Sequence, residues 1–242
     1  MWQELQEELH EAGLTVVTVA LDIDPDKARP WIEAAPAPDG APAPIALIDS
    51  SHSVNELLGI NNVPMAVWID EDGRLVRPAE NARIKESDYR KVEITPELPE
   101  RRRIALTELQ KMPDTGNEYR AAIVDWAGSG AESRFALPAD EVITRSQPRP
   151  RAHAEAAACF ELGQHLYRTT GDKEVAVPWW KKAHALDRGN WTYKRQAWTL
   201  ESTPEGEASD LSQDVGDTYG TSWLDDLLAT GGADNYLTPP RL

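Results

Sequence analysis

The chain has 242 residues, 40% of them hydrophobic, a formal net charge of −16 and one cysteine. That length supports one large or two modest cores, and the negative charge argues against nucleic acid or an anionic membrane surface as partner, since both are polyanions. No apolar run reaches the roughly 18 residues that span a bilayer, the first residues show no signal-peptide pattern, and a lone cysteine allows neither an intrachain disulfide nor a Cys-x-x-Cys motif, so a soluble, cytoplasmic protein is expected.

The first eleven residues place Trp2, Leu5 and Leu9 on one helical face, and Gly13 stops the helix. Leu14–Leu21 is a β-branched run with almost no polar interruption, the pattern of a parallel strand buried on both faces. Asp24 and Pro25 then start a helix that runs to about Ala35, with Asp24 as N-cap and Pro25 at the first helical position. A Pro/Ala/Gly loop over 36–44 leads to a short strand at Ile45–Ile48, and Asp49, Ser50 and Ser51 offer caps for a helix from His52 to Leu58, ended by Gly59. Val63–Ile69 reads as the next strand, and Asp70–Gly73 as a tight turn into Arg74–Val76, because Asp-Gly supplies the positive φ such a turn needs. Strands alternating with short helices and closing in a hairpin describe an α/β domain.

Beyond Pro78 the periodicity weakens. Pro96 and Pro99 confine a helix to the stretch after Pro99, ending near Lys111, and residues 113–150 read as an irregular connection. Arg151–Arg168 carries Ala156, Cys159, Phe160, Gly163 and Tyr167 on one stripe; Lys173–Leu186 is its partner, with Pro178 an awkward interior residue, and Asn190–Trp198 is a third helix. From Glu201 onward acidic, Gly and Ser residues predict a mostly disordered tail, in which Trp223–Leu228 is an amphipathic island able to dock on this chain or another. The expected organisation is an α/β domain over 1–112, a connection over 113–150, a helical region over 151–200 and a tail over 201–242.

Gly59 to Val76, with Val63-Pro64 at a strand start and the Asp72-Gly73 hairpin, resembles the cis-proline strand and hairpin of thioredoxin-like proteins. The similarity is to the TlpA/ResA and peroxiredoxin branch, whose extra helix–strand insertion corresponds to Asp24–Ile48, and it covers residues 1–78. It implies a partial thioredoxin-like sheet, a cis bond before Pro64, and a substrate-binding role for Val63 and Pro64, with the Val63 backbone pairing a protein disulfide or guiding a peroxide substrate. The alternative is that Pro64 merely opens a strand, where proline is tolerated. The family's redox cysteines precede the helix that corresponds here to Trp2–Ala12, so the resemblance places them, and a central strand, upstream of Met1. In actinobacterial ResA-like selenoproteins, which this chain resembles, a selenocysteine codon read as a stop would produce such a truncation. The expected function is thus a thiol- or selenol-dependent oxidoreductase whose redox motif is absent from this chain, with a redox-inactive thioredoxin-fold adaptor as the rival, and no cofactor.

Leu162-Gly163, Ala176, Trp180 and Ala183 approximate a tetratricopeptide unit. One such unit cannot bury its own faces, so it packs on the first domain or on a protein partner. No catalytic residue is expected among those present: Cys159 reads as a small buried hydrophobe. The five histidines show no metal-ligand spacing and read as surface or capping residues. Asp70, Glu71 and Asp72 read as a solvated hairpin tip, and Trp179, Trp180, Trp191 and Trp198 as an aromatic helical core.

Overall fold

A computed structural model describes residues 2–33, 45–146, 148–203, 206–207 and 213–242. Helix α1 (Trp2–Leu9) continues through a 3-10 turn to Gly13, whose φ of +88° closes it with an amide bond to the His10 carbonyl. Strand β1 (Val17–Ala20) follows, then α2 (Pro25–Glu33), where the Asp26 amide donates to Asp24 Oδ1 at 3.1 Å as the capping pattern requires. Strand β2 (Ile45–Ile48) pairs parallel with β1, Val17 opposite Ile45 and Ala20 opposite Ile48. The loop over 36–44 and the expected end of α2 near Ala35 lie outside the described residues.

Helix α3 (Ser53–Leu58) is seated by Asp49, whose carboxylate accepts from the Val54 amide at 2.6 Å and from Ser51 Oγ at 3.0 Å. Strand β3 (Met65–Ile69) turns back through Asp70–Gly73 into β4 (Leu75–Asn81), pairing Met65 with Asn81 and Ile69 with Leu75. Asp70 Oδ1 accepts from the Asp72 and Arg74 amides, and Gly73 takes a φ of +77°. Strand β4 runs five residues beyond the expected Val76, because Arg77 and Glu80 satisfy each other there as a buried pair with N–O distances of 2.5 and 3.0 Å. Local periodicity cannot show that pair, so the strand was not legible past Pro78.

The connection expected over 113–150 is instead helical. After α4 (Glu100–Lys111), which begins behind Pro99 as its prolines dictate, α5 (Gly116–Ser129) and α6 (Ala139–Arg145) follow. Helix α5 buries Tyr119, Ala122 and Ile123 against α1 and β3, where Trp68 donates to Tyr119 Oη at 2.8 Å and stacks on Trp126 at 4.9 Å. Its first residue, Gly116, lies so close to the Lys85 backbone that a Cβ would sit 2.3 Å from the Lys85 carbonyl oxygen. Glycine is therefore required there by packing.

The second core is the helical region. Helices α7 (Arg151–Thr170) and α8 (Lys173–Leu186) form an antiparallel pair turned by Gly171 at φ +70°, with Asp172 capping α8; α9 (Trp191–Trp198) is capped by Asn190, whose Oδ1 accepts from the Tyr193 amide. Phe160, Trp180, Trp191 and Trp198 are buried here as expected, while Trp179 packs at the edge. Two short strands, β5 (Ser202–Thr203) and β6 (Gly206–Glu207), pair antiparallel, and helices α10 (Gln213–Tyr219) and α11 (Trp223–Ala229) complete the chain.

The tail is thus corrected from 213 onward: it is folded. Trp223, Leu224 and Leu227 bury against the helical core, and the last residues return to the α/β part, where the Asn81 amide donates to the Thr238 carbonyl at 2.8 Å. A burst of acids did not prevent this, because the acids pair outward: Asp225 with Arg101 at 3.1 Å and Asp226 with the buried Lys194 at 3.0 Å.

The helical region packs directly on the α/β part. The Ile23 amide donates to Gln196 Oε1 at 2.8 Å, the Trp191 amide to the Asn61 carbonyl at 2.7 Å, and Asn55 Nδ2 to Thr192 Oγ1 at 3.1 Å. The helical region thus packs on the α/β part, burying Trp191 and Thr192 at the contact.

The strand β1 was expected to be buried on both faces. Instead Val17 is 49% exposed, and Ile45 and Leu47 on β2 are also exposed. The physical reason is the sheet: β1 pairs only β2 and β3 pairs only β4, so among the described residues no strand bridges the two ribbons. Among the described residues no helix is long and apolar enough to cross a membrane.

Candidate functional site

The expected site residues sit together at the head of β3. The Val63–Pro64 bond is cis, and both residues are exposed. Pro64 is tied in from behind, its carbonyl accepting from the Ala82 amide at 3.1 Å. Ahead of it, Asn62 is buried and used twice: Nδ2 donates to the Tyr236 carbonyl at 2.9 Å, and Oδ1 accepts from the Val63 amide at 2.9 Å. Val63 therefore keeps only its carbonyl free of a hydrogen bond among the described residues, so its backbone offers one pairing group rather than two.

Val63 forms part of the wall of a cavity of about 390 Å³. Four separated parts of the chain close it: the segment after β4 with Arg83 and Tyr89, helix α4 with Arg102 and Leu106, α9 with Arg195, and the docked tail with Trp223 and Tyr236. That volume falls in the range of small-molecule sites. No aspartate or glutamate lines it. Sequence reasoning found Val63 but not these arginines. The one local signal is the run Arg101-Arg102-Arg103 in a chain of net charge −16, and the fold splits that run: Arg101 is tied to Asp225 and Ser222, while Arg102 turns to the cavity.

Elsewhere, Cys159 is a free thiol buried in the α7–α8 pair, as expected. Two histidines depart from the expected surface roles. His52, 1% exposed, stacks edge-on against Phe160 with Nδ1 3.0 Å from Gln164 Nε2. Burial, opposed by Asp49 and reinforced by Arg168, pulls its pKa down to about 4. His184 lies against Tyr219, and burial with the nearby Lys194 pulls it down to about 3. Both lie inside the interface and core that the linear pattern could not assemble. His153, 40% exposed, lies 3.5 Å from Asp187. No group of three metal-ligating side chains occurs among the described residues.

A second feature concerns the strands. The residues leading into β1 (Leu14, Thr15) and the end of β3 with the turn after it (Ile69, Asp70) line one cavity of about 210 Å³, beside α5. The unpaired strands thus approach each other at one end without joining. Comparisons with family models, with curated proteins and with solved structures find no match.

Proposed function

We propose that this chain is the substrate-holding part of a thioredoxin-like, thiol- or selenol-dependent oxidoreductase of the TlpA/ResA type, acting on a protein disulfide or a peroxide. The observation that carries the reading is the open place between β1 and β3. Two separate ribbons leave β1 and β3 each with an unpaired edge, and unpaired strand edges are the places where a further strand adds. A strand placed there would end near the exposed Val63–Pro64 corner, where a thiolate or selenolate carried on its following loop would meet the substrate. The nucleophile would attack one sulfur of the disulfide, the electron pair of the broken S–S bond leaving on the other sulfur, and a resolving cysteine would release the product. Within the described residues the only thiol is buried, so the chemistry is assigned to polypeptide outside them.

The test is to express the chain alone and preceded by the in-frame translation of the DNA before Met1, and to follow reduction of insulin disulfides by dithiothreitol. Turnover in the extended form alone supports the proposal. Turnover by residues 1–242 alone, or an upstream translation that contains neither cysteine nor an in-frame UGA, overturns it.

A second reading has its own support. The burial of Cys159 is compatible with a redox-inactive thioredoxin-fold adaptor, which binds protein partners through its helical region without turnover. It predicts that residues 1–242 melt cooperatively and remain monodisperse.

A further inference from the structure

We infer that the cavity beside Val63 is a binding site for a small organic anion, a carboxylate or phosphate carried on an apolar or aromatic body. The inference goes beyond the oxidoreductase reading and stands whether or not the complete protein reduces disulfides.

Three arginines, Arg83, Arg102 and Arg195, line this cavity. Arginines at a protein surface are ordinarily free to pair with any neighbouring acid, and this chain has 41 acidic residues against 25 basic ones. Yet none of these three forms an ion pair with a carboxylate among the described residues. Arg83 donates from Nη1 to Ser87 Oγ at 2.6 Å and lies over the Tyr89 ring at 5.0 Å, and Arg195 contacts the Tyr236 hydroxyl; both contacts are to neutral groups. The Nε of Arg83 and the Nε of Arg195 are buried without a hydrogen-bond partner. The Arg102 side chain has no hydrogen-bond partner among the described residues and is exposed at the rim.

A buried donor left without an acceptor costs free energy comparable to a lost hydrogen bond. Three like charges on one cavity add mutual repulsion. A chain so rich in acids has the means to remove both costs by placing one carboxylate there, and it places none. An incoming anion offsets the like-charge repulsion: the planar guanidinium forks match a carboxylate or phosphate and form charge-assisted bonds stronger than neutral ones.

The remaining walls specify the rest of the ligand. Leu106, Leu109 and Met112 of the α4 side face Trp223 and Leu237 of the docked tail. These surfaces bind no charge and exclude water, so they suit a hydrocarbon or aromatic body attached to the anion. A bare inorganic ion would leave them wet.

The experiment is calorimetric titration of the full chain at low salt with four probes: phenyl phosphate, benzoate, inorganic phosphate and benzyl alcohol. Saturable binding of phenyl phosphate or benzoate is expected, with benzyl alcohol not binding and inorganic phosphate weaker than phenyl phosphate. The tighter of the two aromatic anions identifies the headgroup. Arg102→Gln, an exposed position that leaves the fold intact, is expected to weaken binding by about tenfold or more, the loss of one charged hydrogen bond. Arg83→Gln is expected to do the same, and Arg102→Lys to retain part of the affinity. Added salt weakens the interaction in the chain as it stands. Absence of saturable binding by both aromatic anions, equal binding of benzyl alcohol, equal binding of inorganic phosphate, or affinity unchanged in both glutamine variants overturns the inference.

Discussion

Replacing Gly163 by alanine sets two known effects of opposite sign against each other, and the structure decides which one dominates. Gly163 lies inside α7, where alanine is the better helix former by about 0.8–1 kcal/mol. A Cβ at this position, however, would sit 2.6 Å from Trp180 Nε1 and 2.7 Å from Trp180 Cδ1. Trp180 is fully buried and packs against Tyr167 with ring centroids 6.0 Å apart, so the indole has nowhere to move. Overpacking a well-filled core costs about 1–3 kcal/mol. Gly163→Ala is therefore expected to lower stability by up to about 2 kcal/mol, which for a chain of this size lowers Tm by up to about 8 °C. Both close atoms lie beyond Cγ of the indole, so Trp180→Val, whose side chain ends at Cγ, removes them. In that background Gly163→Ala should become neutral or mildly stabilising, giving a coupling of about 1–2 kcal/mol between the two positions. Urea denaturation of the four proteins measures this cycle. An alanine that stabilises the Trp180 protein by its full helical preference, or a coupling near zero, refutes the argument that glycine is required for the α7–α8 approach.

The buried Lys194 donates to the Arg188 carbonyl at 2.8 Å, lies 4.5 Å from the Trp191 ring centre and pairs with Asp226 at 3.0 Å, so Lys194→Ala should cost about 3–5 kcal/mol by stranding the acid, while Lys194→Met with Asp226→Leu should restore most of it; urea midpoints compare them. Trp223→Ala removes a buried indole that donates to Tyr236 Oη at 3.1 Å and should cost about 3–5 kcal/mol, seen also as faster proteolysis after residue 212; unchanged protection would mean that α11 does not hold the tail. His52 and His184 are held neutral, at about 4 and about 3 against an ordinary 6.5. Because folding depresses both, their contribution is complete above pH 6.5 and is lost as pH falls toward the folded values, about 2 kcal/mol from each by pH 5. Burial, with Asp187 and Glu161 nearby, raises the Glu56 carboxyl to about 7, and its protonation works in the opposite direction over this window. The histidine effect is therefore read as a difference: between pH 7 and pH 5 the parent chain should lose about 2 kcal/mol more than His52→Gln does in equilibrium unfolding, and equal losses would contradict the burial of His52.

Most elements were legible because their signals are local. Gly13, Asp24-Pro25, Asp72-Gly73, Pro99, Asp172 and Asn190 each act on backbone within a few residues, and the helices or turns they bound occur where those residues place them. Of the candidate site, Val63 and Pro64 were legible through the strand and hairpin that follow them. The arginines beside them were not, because residues 83, 102 and 195 meet only when four separate segments close around one space.

The same distinction accounts for the failures. Residues 113–150 looked irregular since the apolar face of α5 is set by Trp68 and α1, more than 40 residues away in sequence. The tail looked disordered since its acids were counted before their partners, Arg101 and Lys194, were in place. His52 and His184 looked like surface residues since nothing near them in the chain predicts the rings of Phe160 and Tyr219. By itself the sequence determined where the backbone turns, caps and changes period, which depends on steric and hydrogen-bonding preferences of neighbouring residues. The tertiary structure alone decided which strand edges stay unpaired, which charges lose their solvent and which arginines face one another, because desolvation and ion pairing depend on distances between residues that the chain order does not constrain.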